Sequence, residues 1–214
     1  MDVANILRLM NAGGLLSPAL EADVREVAGA ALVRHAARLA LDGVDVAVYV
    51  TPWTLPETGV SGYAPLGHWV QVTLTPDNPN FAANWRTEVP ATLAHELHHA
   101  RRWRGPGYGR TLLEALVSEG LAQHYEAEER GGPPPYARTS ADLDGLWQRA
   151  QVELDLPAYD HNAWFFGSEE AGLPRWAGYA LGFELVRRFL FQSGGDAVTH
   201  ADAPAAGFWG AWEG

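Results

Sequence analysis

The stretch T-E-V-P-A-T-L-A-H-E-L-H-H-A-R-R-W-R at residues 87–104 decides how the chain is to be read. Thr87 can serve as an N-cap, Glu88 suits the positive end of a helix dipole, and Pro90 falls in a first turn, where its missing N–H costs nothing. Arg101, Arg102 and Arg104 suit the negative end, and Gly105-Pro106 stops the run. One helix is expected, with H-E-L-H-H near its middle. His95 and His99 stand four residues apart, one helical turn, so both imidazoles share a face and can reach one metal ion. Glu96, beside the first imidazole, is placed to act on a water rather than to bind the metal. His98 lies on the face between and is not read as a ligand.

Two imidazoles do not hold a catalytic zinc by themselves, and a third protein donor is expected. The next helical segment, residues 111–130, offers Glu114, Glu119, Glu126, Glu128 and Glu129. Thr111-Leu112-Leu113-Glu114 is a capping box, which accounts for Glu114. Glu126, Glu128 and Glu129 fall in a charged, solvated last turn before Gly131-Gly132-Pro133. Glu119 interrupts an apolar run (Leu112, Leu113, Leu116, Val117, Leu121) and is followed by Gly120. A glycine inside a helix costs about 1 kcal/mol and marks close approach to another backbone, as a metal joining this helix to the first would require.

An H-E-x-x-H followed by a Glu on the next helix resembles the gluzincin metallopeptidases, and Val117-Ser118-Glu119-Gly120-Leu121-Ala122 looks like their ligand segment of N-E-G-F-A type. A narrower resemblance, over most of the chain, is to the bacterial predicted zinc-dependent proteases of the YjaZ type, a family largely of unknown function. It is carried by Gly59-Val60-Ser61-Gly62, by H-E-L-H-H followed by Arg101, and by Ser118-Glu119-Gly120-Leu121-Ala122. Trp164-Phe165-Phe166-Gly167 and the run from Pro174 through Trp176, Gly178 and Tyr179 to Gly182 also match. The resemblance implies one Zn2+ per chain on His95, His99 and Glu119. An acid is expected four residues after the metal Glu, but Gln123 stands there. Its oxygen can accept from a ligand imidazole without a carboxylate's charge, which lowers ligand basicity.

The fold expected is α+β: a mostly helical zincin-like domain with a small antiparallel sheet next to the H-E-x-x-H helix. Residues 1–214 are read as one domain, with a possible N-terminal α/β part over 1–130 and a helical C-terminal part over 136–214. Residues 5–10 form a short amphipathic opening. Ser17-Pro18 starts a helix running to Asp42, ended by Gly43, on which His35 reads as an ordinary histidine. Residues 44–50 and 68–75 alternate as strands that pair, and residues 54–67, with two prolines and three glycines, read as a loop. If residues 68–75 are the sheet edge, they can bind a substrate backbone by strand addition. Beyond Pro133, Ser140 caps a helix to about Asp155, residues 156–173 are irregular and aromatic-rich, and Pro174 opens a helix over 175–191. Gly178 and Gly182 give that helix a smooth face. Phe208, Trp209 and Trp212 are expected to dock on the core.

Composition narrows the functions. At 214 residues and 47% hydrophobic content, the chain is globular and large enough for a core. A formal net charge of −11 argues against nucleic-acid or anionic-membrane partners. With no cysteine, neither a disulfide nor a thiolate zinc site is available. No signal peptide is visible from Met1-Asp2-Val3 onward and no segment is long and apolar enough to span a membrane, so a cytoplasmic location is expected.

The leading expectation is a zinc metallopeptidase acting on peptide or protein substrate, with Glu96 as general base and acid. The oxyanion needs a donor besides zinc. Tyr179 is the candidate, with Tyr63, Tyr108, His68 and His161 as rivals. A zinc hydrolase of a non-peptide amide or ester would share this site, and a non-catalytic metal-stabilised binding or chaperone-like module is the third reading. Oligomeric state is not legible.

Overall fold

The described residues, 3–139 and 141–213, of a computed structural model hold four β-strands, six α-helices and two 3-10 helices (Pro135–Ala137 and Ala205–Trp212), an α+β fold as expected. The strands are β1 (Ile6–Met10), β2 (Asp45–Val50), β3 (Val60–Leu66) and β4 (Trp69–Leu74). The helices are α1 (Pro18–Arg38), α2 (Phe81–Trp103), α3 (Leu112–Arg130), α4 (Leu143–Ala150), α5 (His161–Phe166) and α6 (Ala177–Ser193). Among the described residues no helix is long and apolar enough to cross a membrane. The chain gathers into two compact units: residues up to 104 together with 129–131, and residues 105–128 together with those from 132 on.

In the first unit the sheet order is β1-β2-β4-β3. It is mixed rather than antiparallel. β1 pairs parallel with β2, because α1 carries the chain back to the same end of the sheet between them. β2 pairs parallel with β4, and only β3 with β4 is antiparallel. The opening at 5–10 is therefore a strand, whose Leu- and Met-rich composition hides its period. Residues 60–66 are a strand as well, despite Pro65. The register shifts between Tyr63 and Leu66, and a proline is tolerated at such an irregularity on an edge strand. This makes β3 an edge strand, opposite β1, and puts β4 in the interior, correcting the expectation for residues 68–75.

Val46, Val48, Val70, Val72 and Leu74 point into the core, where each full burial stabilises by about 1.5–3 kcal/mol. α1 packs on β1 and α2, and α2 packs on β3 and β4. α1 ends at Arg38, four residues before the expected Asp42. Ala40 turns left-handed at φ 51°, and the amides of Ala40 and Leu41 bond back to the carbonyls of Ala37 and Ala36. That is a Schellman ending with alanine in the place glycine favours.

In the second unit, α3 and α6 cross with almost no separation. A Cβ built on Gly120 would lie 2.2 Å from the Gly182 carbonyl oxygen, and one on Gly182 would lie 2.4 Å from that of Leu116. The glycine after Glu119 thus marks close backbone approach, as its position suggests, but the partner shown is α6. Ser140 lies outside the described residues. The helix after it is capped by Asp142, which accepts from the Asp144 amide at 3.1 Å, and it ends at Ala150. The aromatic-rich segment contains the short α5, capped by Asp160. α6 begins two residues later than expected, because Trp176 is left-handed at φ 69°. Near the C-terminus, Phe208 stacks on Phe189 and Trp212 on Trp147, whereas Trp209 stays 41% exposed.

Candidate metal centre

α2 starts at Phe81, six residues before Thr87. The apolar series Phe81, Trp85, Val89, Leu93, Leu97 is continuous and buried, so the core face extends upstream of the expected cap. Pro90 therefore sits inside the helix, where it removes one backbone hydrogen bond, rather than in the first turn. H-E-L-H-H remains mid-helix. The Nε2 atoms of His95 and His99 stand 3.0 Å apart, with the rings edge to face. Two nitrogens bound to one tetrahedral zinc at usual bond lengths stand about 3.3 Å apart, so the pair fits a shared ion. His95, Glu96 and His99 are all buried, and His98 between them is buried completely.

β3 runs directly against this turn of α2. A Cβ on Gly62 would fall 2.5 Å from Glu96 Cγ and 2.6 Å from its Oε1. The Trp103 indole donates to the Ala64 carbonyl at 2.8 Å, tying the strand to the end of the helix. In the sequence Gly62 stands out only as part of G-V-S-G, because its place beside Glu96 depends on a strand that the glycines conceal. Tyr63, a rival donor on the same strand, is exposed.

In the second unit the capping box is present: the Thr111 amide donates to Glu114 Oε2 at 2.9 Å and the Glu114 amide to Thr111 Oγ1 at 3.3 Å. This starts α3 in the register that puts Glu119 on its buried face. The Tyr108 hydroxyl donates to Glu119 Oε1 at 2.8 Å. Burial first, and then the Glu119 charge, raise the Tyr108 pKa well above its usual value, so the hydroxyl keeps its proton. Tyr159 is pushed up to about 12 by burial and the charges of Glu119 and Glu114, and its hydroxyl lies 2.9 Å from His161 Nδ1. Burial lowers the His161 pKa against the opposing pull of Glu119 and Asp160.

Gln123 Nε2 donates to the Tyr179 carbonyl at 3.1 Å, while the buried Gln123 Oε1 makes no hydrogen bond. The Tyr179 ring sits among Tyr136, Phe165, Phe166 and Trp176, with centroids 5.0–6.3 Å away. Glu126 is not solvated as expected. It is buried and accepts from the Tyr136 hydroxyl. Glu129 is also engaged, by Arg34 at 2.5 Å and His35 at 3.3 Å.

A family model described as a predicted Zn-dependent protease (DUF2268) matches residues 25–209, most of the chain. The uncharacterized protein YjfC of Bacillus subtilis (strain 168) is 26% identical over 152 residues, which cover 64% of this chain and 49% of that protein. The chain thus spans about half the length of this curated relative. No solved structure matches.

Proposed function

Because the chain belongs to this predicted zinc-dependent protease family, we propose that it is a zinc metallopeptidase of gluzincin type, holding its ion on His95, His99 and Glu119. The 3.0 Å approach of the two imidazole Nε2 atoms, with Glu96 one residue from the first, carries the reading. Three buried donors, one ligand atom from each of His95, His99 and Glu119, make a set able to hold a metal ion. Imidazole and carboxylate suit zinc.

Bound there, zinc supplies Lewis acidity toward a scissile carbonyl and makes water acidic enough to attack near neutral pH. Glu96 takes the proton from the attacking water and returns it to the leaving amine. Tyr179 donates to the oxyanion. The substrate is a peptide laid along an edge strand, and β3 is the edge that passes Glu96.

The test is cleavage of a proteome-derived peptide library by metal-loaded protein, with Glu96→Gln as the blank, alongside metal analysis of both. One zinc per chain in both proteins and cleavage only in the wild type are expected. Absence of zinc uptake, or equal cleavage by Glu96→Gln, overturns the reading. Turnover of acylated small molecules without peptide cleavage moves the activity to a non-peptide amide or ester.

A further inference from the structure

Tyr108 is held in place more elaborately than a loop tyrosine needs. It stands between Gly107 at φ 83° and Gly109 at φ 103°, conformations that side-chain-bearing residues rarely adopt. At Gly109 space is denied as well: a Cβ would lie 2.1 Å from Glu114 Cβ. Glu114 is itself fixed by the capping box, and its Oε2 also accepts from the Arg110 amide at 2.7 Å. The first turn of α3 and the loop before it therefore form one hydrogen-bonded piece. That piece aims a single aromatic side chain along α3 toward a carboxylate more than one turn away.

The ring is braced from the other side too. His161 meets Tyr108 edge to face at 6.1 Å, and Tyr159 sits against the same imidazole. At the end of this arrangement the hydroxyl donates to Glu119 Oε1 at 2.8 Å. A carboxylate side chain has several rotamers, and a fixed donor on one oxygen selects among them before any ion arrives.

We infer that Tyr108 is a positioning residue for Glu119, presented by the Gly107 and Gly109 turns, whose hydroxyl pre-orients that carboxylate for a divalent cation. The inference rests on the reading of Glu119 as a metal donor. Outer partners of metal ligands characteristically change metal affinity without themselves touching the ion.

Zinc is titrated into metal-free protein in competition with a chromophoric chelator, for the wild type, Tyr108→Phe, Gly109→Ala and the double variant. Tyr108→Phe keeps the ring and loses only the hydroxyl. Its zinc dissociation constant should weaken roughly 10–100-fold, with the thermal melt of the metal-free protein little changed. Gly109→Ala, which displaces the loop without touching the contact, should weaken zinc binding as well, and the double variant should be no worse than the weaker single one. Wild-type zinc affinity in Tyr108→Phe overturns the inference, and so does full additivity in the double variant. Should Gly109→Ala fail to fold, Tyr108→Phe alone decides. Failure of the wild type to bind zinc overturns the metal reading itself, a distinct result.

Discussion

Gly62 and Glu96 touch: the strand backbone lies where a side chain at 62 would overlap the carboxylate, with Cγ 2.5 Å from the position of a Cβ. The group assigned to proton transfer is thus seated against the edge strand by a missing methyl group. In the proposed mechanism, the strand that takes the substrate and the residue that carries the proton meet at this contact.

Gly62→Ala should displace Glu96 while leaving the imidazoles in place. A kcat lowered about 100-fold is expected, as for a catalytic group misplaced by about 1 Å, with zinc stoichiometry retained. Steady-state kinetics with metal analysis check this, and an unchanged kcat contradicts it.

The Gly120–Gly182 crossing should tolerate no addition. Gly182→Ala places a methyl group 2.4 Å from the Leu116 carbonyl oxygen, and neither backbone can retreat alone. A loss of at least 1–3 kcal/mol is expected, the usual cost of overpacking, read as a lower urea midpoint at unchanged slope.

Ala40→Gly should stabilise. Ala40 holds φ 51° at the end of α1, a conformation costing an L-residue about 1–2 kcal/mol that glycine avoids. A net gain of about 1 kcal/mol by chemical denaturation is expected, after glycine's greater unfolded-state freedom is set against it.

His35 should make the fold acid-sensitive. Burial holds its pKa down at about 4 against a usual 6.5, despite the opposing pull of Glu129. The unfolded chain binds a proton that the folded chain refuses, so the stabilisation is complete above about pH 6.5 and is lost as pH falls toward 4. The loss is at most about 3 kcal/mol at 1.36 kcal/mol per unit. Urea titrations of metal-free protein at pH 7.5 and 4.5 should show a smaller acid loss in His35→Gln than in the wild type.

Much of the candidate site was legible because it rests on short-range rules. The one-turn spacing of His95 and His99, the Thr111–Glu114 cap and the glycine after Glu119 are local statements, and the structure contains each of them. What failed was what depends on partners distant in sequence. β3 reads as loop because Gly62 and Pro65 are breakers in isolation, and only an edge position beside a helix makes them acceptable. The parallel pairing of β1 with β2 depends on α1 returning the chain, which no residue in either strand announces. Glu126 reads as solvated until Tyr136, ten residues on, folds back to meet it. Tyr108 was a rival candidate for another role; the glycines on either side were its only visible mark.

Residues 129–131 belong with a unit whose other members all precede Gly105. They bring Arg130 to the buried Glu88, at 2.6 Å through Nη2, and Glu129 to Arg34. As the polypeptide leaves the ribosome, Glu88 must therefore wait some forty residues of translation for its cation. A chain ended anywhere between Glu88 and Arg130 leaves that carboxylate without its cation.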